Sequence, residues 1–149
     1  MPSTLMSSLY RVASPDYVDG NSHNFMVDGP ITVADAQLGT NWATVAVGGM
    51  GAGGKSLFAV RLFTGNSNNI DALWEISPPA SNTPANDWND LGYTYSKPVV
   101  ARTQSGQWVA IFGNGYGSNG GKAALYVVNI ADGSLVQKVV VDDNTSGTT

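Results

Sequence analysis

The stretch GMGAGGKS (residues 49–56) satisfies the phosphate-loop pattern G-x-x-x-x-G-K-[ST] at every specified position. A phosphate loop works by aiming backbone N–H groups at an anion where a strand ends and a helix begins. The flanks therefore decide the fold. Upstream, WATVAV (residues 42–47) alternates and is rich in β-formers. Downstream, LFAVRLFTG (residues 57–65) sets Leu57, Phe58, Val60, Leu62 and Phe63 in a short run that stops at Thr64-Gly65, without the length or the capping residues of a helix. Two β-runs joined by glycines describe a hairpin, whose turn needs backbone angles that Gly adopts freely. The nucleotide motif thus lacks the strand-to-helix context that would give it chemistry.

The rest of the composition agrees with a β-rich chain. Of 149 residues, 42% are apolar and only 12% charged, and 18 are glycine, which points to many short strands joined by turns in an all-β domain. A net charge of −4, with seven Lys plus Arg scattered along the chain, argues against a nucleic-acid groove. Without cysteine there are neither disulfides nor thiolate metal sites. No apolar run approaches the roughly 20 residues of a membrane-spanning helix. Residues 1–9 lack the charged and hydrophobic regions of a signal peptide, so an exported protein would carry its signal upstream of this chain.

An internal repeat organises the chain. VDGPITVADAQLGTNWATVAVGGMGAGGKSLFAVRLFTG returns as YSKPVVARTQSGQWVAIFGNGYGSNGGKAALYVVNIADG, with strands and glycines in the same order. Pro30 and Pro98, and Val60 and Val128, stand 68 residues apart; Trp42 and Trp108 stand 66 apart. Each copy predicts four strands: residues 30–35, 42–47, 57–65 and 72–77 in the first, and 98–103, 108–112, the run after Gly-Gly-Lys and 134–141 in the second. Four antiparallel strands per repeat, marked by recurring aromatic and glycine residues, are the sequence form of a β-propeller blade. The chain then divides into a lead-in (1–22) that belongs to a preceding blade, a first blade (23–77), a polar inter-blade loop at the surface (78–92), a second blade (93–141) and a polar tail (142–149). The second copy of the hairpin, NGYGSNGGKAA, puts Tyr116 in place of the first required glycine and Ala123 in place of the serine. A hairpin repeated in every blade accounts for both copies, whereas an anion site does not.

The remaining candidate sites are weaker. Lys55 and Lys122 read as solvated residues beside turns. Asp142, Asp143 and Asn144 suggest a calcium loop but lack the D-x-[DN]-x-[DN]-G spacing. Asp19 and Asp28 precede glycines in turns and Asp35 is expected to end a strand, so no pair of catalytic carboxylates stands out. His23 is the only histidine, and no nucleophile elbow accompanies it. Trp42 and Trp108 hold equivalent repeat positions, as packing residues between or within sheets would. Trp88, in the polar stretch NDWNDLG, is the candidate exposed aromatic for contact with a partner, the alternative being that it pins its own loop.

Taken together, VDGPITVADA, LWEIS, DLGYTYSKPVVAR and GQWVAIFGNGYGSNGGKAALYVVNIADGSLV closely resemble the C-terminal propeller of the PilC/PilY family of bacterial type IV pili, over residues 23–141 and in the family's order. The resemblance implies a non-enzymatic, quinoprotein-like propeller, associated with the cell surface or outer membrane, that supports pilus assembly, surface attachment and twitching motility. Its implied partners are the remaining blades of the parent chain and pilins or minor pilins. The family's Asp-rich calcium loop is not reproduced by residues 142–144, so no metal ligand and no cofactor is carried over to this chain, and calcium is expected only in the longer family protein. Propellers of quinone (PQQ)-dependent dehydrogenases repeat a similar strand–turn–Trp phrase and supply the competing reading. The residue set that would grip the quinone is not identifiable here.

Overall fold

The computed structural model describes residues 2–18, 23–65, 70–80, 83–118 and 121–142. The first half carries strands β1 (Ile31–Leu38), β2 (Asn41–Gly49), β3 (Leu57–Thr64) and β4 (Asp71–Ile76). The second carries β5 (Val99–Arg102), β6 (Trp108–Gly113), β7 (Ala123–Asn129) and β8 (Leu135–Asp142). They form two four-stranded antiparallel sheets in which every strand pairs with its sequence neighbour. This is the predicted pair of blades, and β3 begins two residues after Lys55 where a phosphate loop would begin a helix.

Alternation explains the faces. In β1, Ile31, Val33 and Asp35 are exposed while Thr32, Ala34 and Ala36 turn inward, as the period-2 geometry of a strand requires. The inward residues of the first sheet, including Val45, Val47, Leu57, Ala59 and Trp74, join Ala110, Phe112, Ala124, Tyr126 and Val128 of the second in a single buried cluster. The core therefore lies between the blades. Each large side chain buried there contributes about 1.5–3 kcal/mol relative to exposure.

Polar locks align the two sheets across this core. The Thr32 hydroxyl donates to the Pro98 carbonyl at 2.6 Å, and the buried Trp74 indole N–H donates to the Ile130 carbonyl at 2.9 Å. Trp74→Phe removes that donor and leaves the carbonyl unpaired, at a cost of about 1–3 kcal/mol. Faster amide exchange at residues 128–133 of the full-length protein is the expected result, and unchanged protection would show that the bond is dispensable.

Three expectations need correcting. Asp35 does not end a strand: β1 runs on to Leu38, and Asp35 sits opposite Thr44, whose hydroxyl donates to it at 2.7 Å. The two prolines are not equivalent. Val45 and Ile111 each lie three residues after their Trp, yet Val45 pairs with Ala34, four residues after Pro30, whereas Ile111 pairs with Val99, directly after Pro98. An offset of three places the prolines at different heights and on opposite faces of their sheets, because side chains alternate. Nor is the inter-blade segment 78–92 wholly a surface loop. Its 3₁₀ turn Asp87–Asp90 is capped by the Asn86 side chain, which accepts from the Trp88 N–H at 2.9 Å, and Asp90 and Leu91 are buried.

The lead-in forms short helical turns, Ser3–Ser8, Leu9–Val12 and Pro15–Val18. It docks on the first sheet through the Ser3 N–H, which donates to Glu75 Oε2 at 2.7 Å, and through buried Leu5. At one end of the first blade the β1–β2 turn passes through Gly39, with φ +64° and open space around it. The opposite end is far tighter.

Candidate partner-binding rim

At that tighter end four backbone segments from both blades converge: residues 26–29, the 49–56 hairpin, residues 92–95 and residues 113–118. Their closeness explains the glycines of the opening motif. A Cβ on Gly53 would lie 1.7 Å from the Met26 carbonyl oxygen, and one on Gly49 would lie 2.3 Å from that of Thr94. No side chain fits in such gaps. Several of the hairpin's N–H groups are engaged within the protein. Met50 N–H donates to Thr94 Oγ1 at 2.7 Å, Gly51 N–H to the Thr94 carbonyl at 3.3 Å and Gly53 N–H to the Met50 carbonyl at 2.9 Å. Ser56 is buried, with its Oγ 2.8 Å from that of Ser77. The stretch is a packing device between blades, built from the residue types that elsewhere cradle phosphate.

Lys55 also departs from expectation. It is half-buried, donates to the Gly117 carbonyl of the second blade and stands 5.6 Å over the Tyr93 ring, because the hairpin tip points across the inter-blade seam. Lys122 is exposed, as a solvated lysine beside a turn should be, and its carbonyl accepts from Asn114 Nδ2 at 2.6 Å.

Tyr93 begins a ladder of rings. Tyr116 is stacked between Tyr93, at 5.3 Å and 28°, and Tyr95, at 5.6 Å and 15°. The backbone holds the ladder in place: Tyr93 N–H donates to the Tyr116 carbonyl at 2.8 Å, and Gly115 (φ +71°) leaves room where a Cβ would come within 1.8 Å of the Tyr93 oxygen. Tyr95 and Tyr116 remain 42% and 63% exposed, and Phe25 and Val27 add further exposed apolar surface on the segment leading into the rim. The Tyr95 phenol is held above its ordinary pKa, first by its hydrogen bond to Tyr116 and then by burial and neighbouring Tyr116, Asp28 and Tyr93. The Tyr95 phenol therefore stays protonated at neutral pH. In the sequence Tyr116 stands out only as a departure from the glycine pattern of the first hairpin, and Tyr93 and Tyr95 do not stand out. The available signal was Tyr93-x-Tyr95, an i, i+2 pair that an extended chain sends to one side.

The other candidates fall elsewhere. Trp88 is half-buried and stacks on Tyr126 at 5.0 Å and 25°, which pins its loop to the second blade. Tyr126 donates its hydroxyl to the Asp87 carbonyl at 2.8 Å, and burial, then Asp90 and Asp87, push its phenol pKa well up. Trp42 meets Trp108 edge-to-face at 5.6 Å between the blades, but is 58% exposed, so it closes the end of the seam instead of filling the core. His23 is exposed, 3.5 Å from the Tyr17 hydroxyl and edge-on to Phe25 at 5.0 Å. A cleft of ≈ 470 Å³ lies beside it, lined by Thr4, Ser8, Lys55 and Ser56 among others. Asp28 is exposed near Tyr95, while Asp19, Asp143 and Asn144 lie outside the described residues. Among the described residues no group of three or more His, Asp or Glu is placed to hold a metal ion, and no helix is long and apolar enough to cross a membrane.

Known proteins resemble this chain in sequence and fold. The sequence profile of the PilY1 beta-propeller domain matches residues 1–148. A type IV pilus biogenesis factor PilY1 homolog from Xylella fastidiosa (strain Temecula1) is 40% identical over 144 residues, covering 96% of this chain and 9% of that protein. The type IV pilus biogenesis factor PilY1 of Pseudomonas aeruginosa (strain PAO1) is 39% identical over 145 residues, covering 97% of this chain and 12% of its own length. The crystal structure of the Pseudomonas aeruginosa PilY1 C-terminal domain superposes with a TM-score of 0.66 at 40% identity, over 80% of this chain and 23% of that one. The chain thus spans about a tenth of the curated relatives it matches, and these matches favour the pilus family over the quinone-dependent dehydrogenases. Two meandering sheets joined through a glycine-packed rim, with a profile match along nearly the whole length, mean that this chain belongs to the PilY1 β-propeller family.

Proposed function

We propose that this chain supplies two blades to the propeller of an exported, surface-associated type IV pilus protein, and that it works by binding and not by catalysis. In that role it supports pilus assembly, surface attachment and twitching motility. The observation that carries the proposal is the 39–40% identity to type IV pilus biogenesis factors over nearly the whole chain. Two blades do not close a ring. Exposed Ile31 and Val33 on one outer face, and Val99, Val139 and Val141 on the other, are the surfaces that the parent chain's neighbouring blades cover. The tyrosine rim and, apart from it, Trp88 are the aromatic groups offered to pilins or minor pilins, since half-exposed aromatic side chains anchor protein interfaces. Calcium belongs to the longer protein in this reading and not to these residues.

The test is Tyr95→Ser with Tyr116→Ser in the full-length protein. Export at normal levels with surface piliation and the twitching zone reduced several-fold is expected. Normal piliation and motility would remove the rim from the function, and alcohol oxidation by the full-length protein after addition of the quinone would overturn the non-catalytic reading.

A further inference from the structure

We propose that Tyr95 and Tyr116 form a site of oxidative cross-linking, at which a one-electron oxidant of the haem-peroxidase or metal-complex class joins the two rings by a carbon–carbon bond. The geometry singles out this pair. Their rings are within 15° of parallel with centroids 5.6 Å apart, and both are open to solvent. Rings so placed bring the carbons beside each oxygen into contact through a small side-chain rotation. Those ortho carbons, with the phenolic oxygen, carry the unpaired electron of a tyrosyl radical.

The four other tyrosines lack this combination. Tyr126 is fully buried against Phe112 and Trp88, neither of which has a phenol. Tyr10 stands exposed beside Arg11, and Tyr17 faces His23. Tyr93 shares the stack, but the Lys55 ammonium 5.6 Å over its ring disfavours a positive charge there, so oxidation settles on Tyr95 and Tyr116. Tyr93 also helps, since a stacked neighbour keeps Tyr116 from rotating away from Tyr95.

The chemistry balances. Each phenol gives one electron to the oxidant and its O–H proton to water, leaving two tyrosyl radicals. The radicals couple through one ortho carbon of each ring, and the hydrogen on each coupled carbon moves to the oxygen of its own ring, restoring two phenols. Overall the oxidant gains two electrons, the solvent gains two protons and the protein loses two hydrogens. The product staples the segment before β5 to the β6–β7 turn, in a chain that has no cysteine with which to do so.

The experiment treats the full-length protein with photo-oxidised ruthenium tris-bipyridyl and persulfate, isolates monomer and maps its peptides. The expected result is a cross-linked peptide joining Tyr95 to Tyr116, lighter by two hydrogens than its parts and carrying dityrosine fluorescence. Tyr95→Phe and Tyr116→Phe, which keep the stacked rings, each lower that peptide more than tenfold, while Tyr10→Phe leaves it unchanged. Absence of the peptide while Tyr10 or Tyr17 is consumed would overturn the proposal, as would its appearance only in covalent dimers or its persistence in either ladder variant.

Discussion

Lys138→Met in the full-length protein lowers the free energy of opening the second blade by about 3–5 kcal/mol, the usual cost of removing one partner from a buried ion pair. Lys138 Nζ lies 2.6 Å from Asp90 Oδ2, with side chains only 17% and 9% exposed. The same ammonium donates to the Asp87 carbonyl at 2.9 Å and stands 5.6 Å over the Tyr126 ring. Without it, a carboxylate stays buried with no countercharge, and the Asp87 carbonyl keeps only the Tyr126 hydroxyl as donor. The check is amide exchange at residues 87–91 and 135–141. A double variant with Asp90→Asn removes both charges and recovers most of the loss, because a neutral pair costs little to desolvate. If Lys138→Met leaves exchange unchanged, the pair behaves as a solvent-screened contact.

Phe112→Ala has a comparable effect, about 3–5 kcal/mol, by opening a cavity in the shared core. Phe112 is 2% exposed and stacks on Tyr126 at 5.7 Å and 23°. Because the cluster is built from both sheets, the cavity weakens the two blades together. Exchange rates should rise at residues 45–47 of the first blade as well as at 110–112 of the second. A rise confined to the second blade would mean that each sheet carries its own core.

These two predictions rest on packing, which was the less legible half of the molecule. The strands were readable because alternation and turn residues act locally: all eight appear within a few residues of their expected places, and the glycine hairpin is a hairpin. The partners across the seam were not readable. Lys55 reads as solvated until the fold places Gly117 and Tyr93 beside it. Asp90 reads as a polar loop residue until Lys138, 48 positions later, arrives to neutralise it. Pro30 and Pro98 look equivalent because sequence spacing counts residues, whereas a sheet counts register. The tyrosine ladder was half visible, since Tyr93 and Tyr95 share a side by alternation but Tyr116 comes from another turn.

The crowding at the rim and the openness at Gly39 give the two poles of this chain different evolutionary freedom. A lengthened or rewritten turn at Gly39 meets only water. At Gly49, Gly53 and Gly115 a single added methyl collides with a neighbouring main chain, so no one of them can change unless a segment elsewhere shifts to admit it. Lineages descending from such a chain would diversify at one pole while the other stays locked to a shared template.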